Sequence, residues 1–337
     1  MTNIIVSCGD PNGIGLEVFY KALQKDFSDN IKFTLVSHIE TVREYFDLMK
    51  LDSEFSGNQV KIGNNLVDLI DISFPSEIEF GKVTKSAGLL AARSIEHALD
   101  LVIKREYEAL LTLPVNKFSL YKAGWQFPGH TEMLAHTCKV DNQMMMLCSE
   151  GVRVALATVH IPISDVPRKM DIGSLILQIG TLSTSIYKDF GKFNGKIAVL
   201  GLNPHAGENG SMGREEIEFI APAIENAQQL GINVEGPFPA DGFFAHGGYK
   251  EYDGILAMYH DQGLIPLKLL ARGAGVNFTL GLPIIRVSPD HGTAFEIAGE
   301  GKADEKSTLE AITLALEIAE NRVSFYKQQP HIDPDIV

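Results

Sequence analysis

Three histidines close apolar runs in this chain: His160 ends "RVALATVH", His205 ends "KIAVLGLNPH" and His260 ends "GILAMYH". Ligands of open α/β sheets bind beyond the carboxyl ends of the strands. Three imidazoles delivered there from separate strands could hold one divalent metal with coordination positions left open, as a catalytic metal requires. A single histidine at a strand end is more often a turn or hydrogen-bonded residue, so the shared placement carries the metal reading. Asp165, Glu208 and Asp261 follow closely, where a carboxylate can orient an imidazole or merely cap the next helix. No histidine pair has the HExxH spacing of a helix-borne zinc site.

A second set of residues suits an anion. "PGHTEMLA" puts His130 and Thr131 just before a helical pattern, where free backbone N–H groups and the helix dipole favour negative charge. Thr131 could equally be a plain N-cap. Lys117 in "LPVNK", and Lys268, Asn277 and Arg286 in "LKLLARGAGVNFTLGLPIIRVS", sit among apolar residues. Isolated cations usually mark a solvated face, but beside strand ends they can clamp a phosphate or carboxylate. In "GDPNGIGLEV", Gly9, Gly13 and Gly15 either let backbone approach a ligand or form a turn capped by Asp10 or Asn12. The stretch is not G-x-G-x-x-G, and G-x-x-x-x-G-K-[ST] is absent from the chain, so the two simplest nucleotide signatures are missing.

The elements that must position these residues are short apolar runs at 3–8, 32–38, 109–113, 153–159, 196–202 and 254–259. Nearly continuous apolar runs suit strands covered on both faces of a parallel sheet. Between them lie amphipathic helical patterns, notably 86–106, with Leu90, Ser94, His97 and Leu101 along one side, and the stretch from Gly213 to Gly231. The last long element opens with Ser307 and Glu310 at capping-box spacing. The alternation predicts an α/β protein with largely parallel sheets.

With 337 residues, 45% of them hydrophobic, the chain can bury one large core or two ordinary ones. A formal net charge of −14 argues against a nucleic-acid surface, which needs clustered cations. Three scattered cysteines, Cys8, Cys138 and Cys148, make neither a disulfide framework nor a Cys-rich zinc site. The start has no signal-peptide pattern and no window is apolar enough to span a membrane, so a cytoplasmic protein is expected.

Read together, "GDPNGIG", "PGHTE", "RVALATVHIPISDV", "GLNPHAGENG", "MGREE", "GPFPAD", "AMYHDQG" and "GVNFTLGLPIIRVSPDHGTAFEIAGEGKAD" resemble the 4-hydroxythreonine-4-phosphate dehydrogenase family of pyridoxal phosphate biosynthesis, over nearly the whole chain. The resemblance implies oxidation of the C3 hydroxyl of 4-phosphohydroxy-L-threonine by NAD, or NADP, followed by loss of CO2 to give 3-amino-2-oxopropyl phosphate. It implies a fold similar to isocitrate and isopropylmalate dehydrogenases: two α/β/α domains, 1–127 plus 288–337 and 128–287, with the active site in the cleft between them. It implies one divalent metal, Zn, Mg, Co or Mn, in a site shared between the subunits of a homodimer, with dimer contacts on the second domain. By motif, His160, His205 and His260 correspond to metal ligands, and His130, Thr131, Lys268, Asn277 and Arg286 to substrate contacts. His291, Gly292, Thr293 and Ala294 correspond to the cofactor loop, and Asp241, Asp261 and Lys117 stand as candidates for the catalytic base. The chain departs from the family's usual pattern at Asn12, Leu16 and Leu113, and a bulky Leu113 would reshape the place where close backbone approach was possible.

Other readings stay open at this stage. A sister dehydrogenase acting on D-threonate or D-erythronate 4-phosphate would keep the same apparatus. A metal-dependent phosphatase or aldolase would turn over without reducing NAD, and a phosphometabolite-binding protein would bind and produce nothing.

Overall fold

The computed structural model describes residues 2–28, 30–127 and 129–331, so Pro128 of "PGHTE" and the 332–337 end of the expected first domain lie outside the described residues. The strands are β1 (Thr2–Ser7), β2 (Ile31–Ser37), β3 (Glu54–Ser56), β4 (Gln59–Ile62), β5 (Asn65–Asp71), β6 (Ala109–Thr112), β7 (Met144–Ser149), β8 (Val152–Leu156), β9 (Ile197–Leu200), β10 (Val234–Phe238), β11 (Gly254–Ala257), β12 (Val276–Leu280) and β13 (Ile285–Pro289). The helices are α1 (Gly15–Ala22), α2 (Ile39–Met49), α3 (Lys85–Ile103), α4 (Lys117–Lys122), α5 (His130–Cys138), α6 (Ile172–Lys188), α7 (Ala221–Gln229), α8 (Ala240–Ala245), α9 (His260–Ala271) and α10 (Lys306–Gln328). The chain is an α/β protein in two compact units.

The first unit comprises Met1–Lys139 and Leu282–Ala319. Its strands run β13-β6-β1-β2-β5-β4-β3, parallel from β13 to β5 and antiparallel in the β5-β4-β3 edge. Ile4, Ile5, Val6 and all of β6 are fully buried, as strands covered on both faces must be. The Ser94 hydroxyl of α3 donates to Val36 O at 2.6 Å and accepts the Cys8 N–H at 2.9 Å, which fixes the helix across β1 and β2.

The second unit comprises Val140–Gly281 and the chain from Glu320. Its strands run β10-β9-β11-β8-β7-β12, parallel from β10 to β8 and antiparallel from β8 to β12. Helix α9 lies on this sheet because Gly263 has no side chain: a Cβ there would stand 2.7 Å from Val154 and 2.9 Å from Leu156. Arg322, in the end of α10 that belongs to this unit, pairs with buried Asp189 at 2.7 Å.

The unit boundaries differ from the expected division at 127/128 and 287/288. Helix α5 and strand β13 group with the first unit, because β13 pairs with β6 and its Arg286 bonds Thr112 there. The expected capping box of the last helix is also absent. Ser307 lies inside α10, and its hydroxyl accepts the Asp290 N–H at 2.9 Å. Asp304 does the capping instead, accepting the Lys306 N–H at 3.0 Å.

Candidate active-site residues in each unit

In the second unit the three histidine-bearing strands are stitched together at their carboxyl ends. Past β8, the N–H of Ala157 donates to Ala257 O at 2.8 Å, and the Thr158 hydroxyl donates to Met258 O at 2.7 Å. Gln262 continues the chain of bonds: its carbonyl accepts the Met258 N–H at 2.7 Å and its amide donates to Gly201 O at 2.6 Å. One side chain thereby links the exit of β11, which leads to His260, with the exit of β9, which leads to His205.

His160 and His260 lie side by side, with ring centroids 5.7 Å apart. Asp261 Oδ1 stands 2.7 Å from His260 Nδ1, so a proton on Nδ1 leaves Nε2 as the free lone pair, the arrangement typical of a metal-ligating imidazole. Asp165 instead sits beside Arg168 at 3.8 Å, and Glu208 is exposed. His205, Asp241 and Asp261 line a cavity of about 540 Å³, bordered on its apolar side by Phe244 and Ile265. Among the described residues, no group of three His, Cys, Asp or Glu side chains is disposed to hold one ion. The donor chemistry fits a borderline ion such as Zn or Co, but one chain brings only two imidazoles side by side. Of the other expected contacts in this unit, Lys268 is exposed on α9, and Asn277 on β12 has a buried Oδ1 with no hydrogen-bond partner.

In the first unit Arg286 is 3% exposed. Its Nε and Nη2 donate to Thr112 Oγ1 at 3.1 and 2.8 Å, and Nη2 lies 3.4 Å from His130 Nδ1. Burial pulls the guanidinium down to about 10, opposed by the charge of Glu132, so it stays protonated near neutrality. Burial, then the charges of Arg286 and Lys117, push His130 down to about 3, so its ring is neutral. With Nδ1 facing the Arg286 donor, the proton belongs on Nε2, and that atom is buried without a partner. Helix α5 starts at His130 with no side-chain cap, so Thr131 is not the N-cap and the free N–H groups point the same chemistry at an anion. Lys117, exposed at the first position of α4, reaches the vicinity of Gly129. Together these groups form a largely basic cluster, with Glu132 beside it, that carries one unsatisfied neutral donor.

His291, Gly292, Thr293 and Ala294 follow β13. His291 Nδ1 lies 3.0 Å from Gly292 O, leaving a buried Nε2 without a partner. Thr293 O accepts the Ile14 N–H at 3.1 Å, and a Cβ on Gly13 would stand 2.8 Å from that oxygen. Gly13 is therefore small to admit this loop. Gly15 likewise admits Leu113, whose fully buried Cβ would lie 3.3 Å from an added one. The glycines of "GDPNGIG" serve contacts within the chain, and Leu113 packs in the core. Asp10 Oδ1 accepts the Asn12 N–H at 3.0 Å, an Asx turn.

Residues 21–315 match the family model described as pyridoxal phosphate biosynthetic protein PdxA. The chain belongs to that family. A relative from Sulfurihydrogenibium sp., 4-hydroxythreonine-4-phosphate dehydrogenase, is 38% identical over 94% of this chain and 98% of its own length. D-threonate 4-phosphate dehydrogenase from Cupriavidus necator is 40% identical over 94% of this chain and 97% of its own. The solved structure of 4-hydroxythreonine-4-phosphate dehydrogenase from Klebsiella pneumoniae has a TM-score of 0.84 and 37% identity, covering 95% of this chain and 100% of that one. Thr112, Asn203, Glu216 and Gln262, which hold the candidate residues in place, stand in no motif whose spacing marks them in the sequence.

Proposed function

We propose that the chain is an NAD-dependent dehydrogenase that oxidises C3 of 4-phosphohydroxy-L-threonine and releases CO2, giving 3-amino-2-oxopropyl phosphate. The observation that carries this reading is the basic cluster of the first unit: a buried guanidinium, a lysine and a neutral imidazole whose Nε2–H has no acceptor among the described residues. Leaving such a donor unsatisfied costs about 1–3 kcal/mol, and a phosphate oxygen would satisfy it. The names of the relatives supply the substrate class.

In this reading Arg286, Lys117 and the start of α5 bind the phosphate and fix its orientation, while His130 donates from Nε2. Thr131, Lys268 and Asn277 complete the substrate contacts. Asp241 and Asp261, both exposed on the second unit's cavity, are the candidates to take the proton from the C3 hydroxyl, with Lys117 as a third. The loop His291–Ala294 holds the nicotinamide cofactor, NAD or NADP, which accepts the hydride when bound. A divalent ion at His160, His205 and His260 would supply Lewis-acid polarisation of the substrate oxygen and of the carbonyl formed from it. Since one chain gathers only two of these rings, the reading assigns the completed set to a homodimer, with ligands contributed by both copies.

The sister activity on D-threonate 4-phosphate is supported by one specific observation, the 40% identity to the Cupriavidus enzyme, and D-erythronate 4-phosphate is the further substrate to assay. Steady-state assays separate the two. With NAD and Zn, Co, Mn or Mg, 4-phosphohydroxy-L-threonine should give NADH and CO2 in equal amounts. Preference for an aldonate phosphate would transfer the assignment to the sister reaction, and no NADH from any of the three would remove the dehydrogenase reading.

A further inference from the structure

The loop that carries His205 has a backbone that its sequence alone does not favour. From His205 to Asn209 five consecutive residues are left-handed, with φ of 54°, 49°, 80°, 41° and 54°, and only Gly207 among them is a glycine. Left-handed helical backbone costs about 1–2 kcal/mol per non-glycine residue, and single residues adopt it far more readily than runs. Such a segment persists only where its surroundings over-determine it.

Glu216 supplies that constraint. It is 3% exposed. One carboxylate oxygen accepts the backbone N–H of Asn203 at 2.7 Å, and the other accepts the Asn203 side-chain amide at 2.9 Å. Asn203 is the residue that leads into the loop. Glu215 takes the same Asn203 amide at 2.7 Å and the Arg214 N–H at 2.9 Å. Across the loop, a Cβ on Gly207 would lie 2.5 Å from Glu216 Oε2, so the glycine stands where the carboxylate presses against the backbone. Glu216 itself opens a π-type turn, Glu216–Ile220, a distortion that recurs at functional sites.

We propose that Glu216 is the positioning residue for His205: its buried carboxylate clamps Asn203 and Gly207, and so holds the left-handed loop that presents His205 to the cavity with Asp241 and Asp261. The metal consequence rests on the proposed role of His205 as a ligand, whereas the loop consequence does not.

Three variants of the full chain test it. Glu216→Gln keeps an acceptor for the Asn203 N–H but sets a donor against the Asn203 amide. Glu216→Ala removes both bonds, and Gly207→Ala disturbs the same contact from the loop side should Glu216→Ala fail to fold. Hydrogen exchange across 203–210 should accelerate at least tenfold in Glu216→Gln while exchange in β9 and β11 stays at the wild-type rate. Co2+ affinity, read from its visible absorption, should weaken at least tenfold, with kcat falling more than KM rises. Unchanged loop exchange in Glu216→Gln and Gly207→Ala overturns the proposal. His205→Ala separates the two claims: if it binds Co2+ as tightly as wild type, the ligand role fails while loop exchange still judges the clamp.

Discussion

His130 lies beside Arg286 and Lys117, and burial, reinforced by the repulsion of those two cations, pushes the imidazole down to about 3. In the unfolded chain the same ring titrates near its ordinary value of about 6.5. Between these two values the unfolded state holds a proton that the native state lacks, so native stability rises with pH across that window and falls on acidification. Above it the ring contributes no pH dependence. The slope is at most about 1.4 kcal/mol per pH unit, less for a ring that keeps some solvent contact. His130→Asn should therefore lose less melting temperature than wild type on going from pH 7 to pH 5. Equal losses in the two proteins would mean that the ring is not held neutral. The place of His130 at the opening of a helix was legible in the sequence. The neutrality of the ring was not legible, because that depends first on burial and then on Arg286 arriving from β13, more than a hundred residues away, on a strand that pairs with β6.

At the scale of elements, the polar ending of "AMYHDQG" divides into separate tasks: His260 faces His160, Asp261 orients it, Gln262 ties two strand exits and Gly263 admits the helix to the sheet. Gln262→Leu would leave the Met258 N–H and the Gly201 carbonyl without partners, at roughly 1–3 kcal/mol each where water cannot reach them. The expected result is a lower melting temperature together with a larger loss of kcat, since both histidine-bearing exits loosen. Gln262→Glu keeps the acceptor for Met258 and should lose less of both; equal losses would deny the stitch its role. Strands β1, β2, β6, β8, β9 and β11 were legible as continuous apolar runs, and β6, β9 and β11 are buried throughout, whereas the parallel strands β5, β10 and β13 were not among those runs. Strand β7, "MMMLCS", was not, because methionine has no β-branch to mark a strand and its antiparallel pairing with β8 and β12 is decided by tertiary contacts. In α3 Leu90 and Ser94 of the predicted stripe are buried, as is Ile95 beside them, whereas His97 is exposed and Ala91 and Ala98 are buried in its place.

At the scale of the whole molecule, the net charge of −14 coexists with the buried guanidinium of Arg286, so composition could exclude nucleic acid as an expectation without excluding a small anion. A homodimer is expected only through the family resemblance, since no stretch of the sequence announces an interface. The proposed homodimer makes a demand that one chain cannot meet, because His160 and His260 adjoin while no third donor completes an ion site among the described residues. If His205 and His260 of one site come from different copies, His205→Ala and His260→Ala protomers must complement each other. A mixed dimer then contains one site with both substitutions and one with neither. Unfolding and refolding the two inactive proteins together in equal amounts gives mixed dimers in about half of the population, each with one intact site of two, so about a quarter of wild-type activity should return. Refolded separately, neither should recover. Absence of recovery in mixtures shown by mass spectrometry to contain the mixed dimer would place both rings in the same copy and withdraw the shared site.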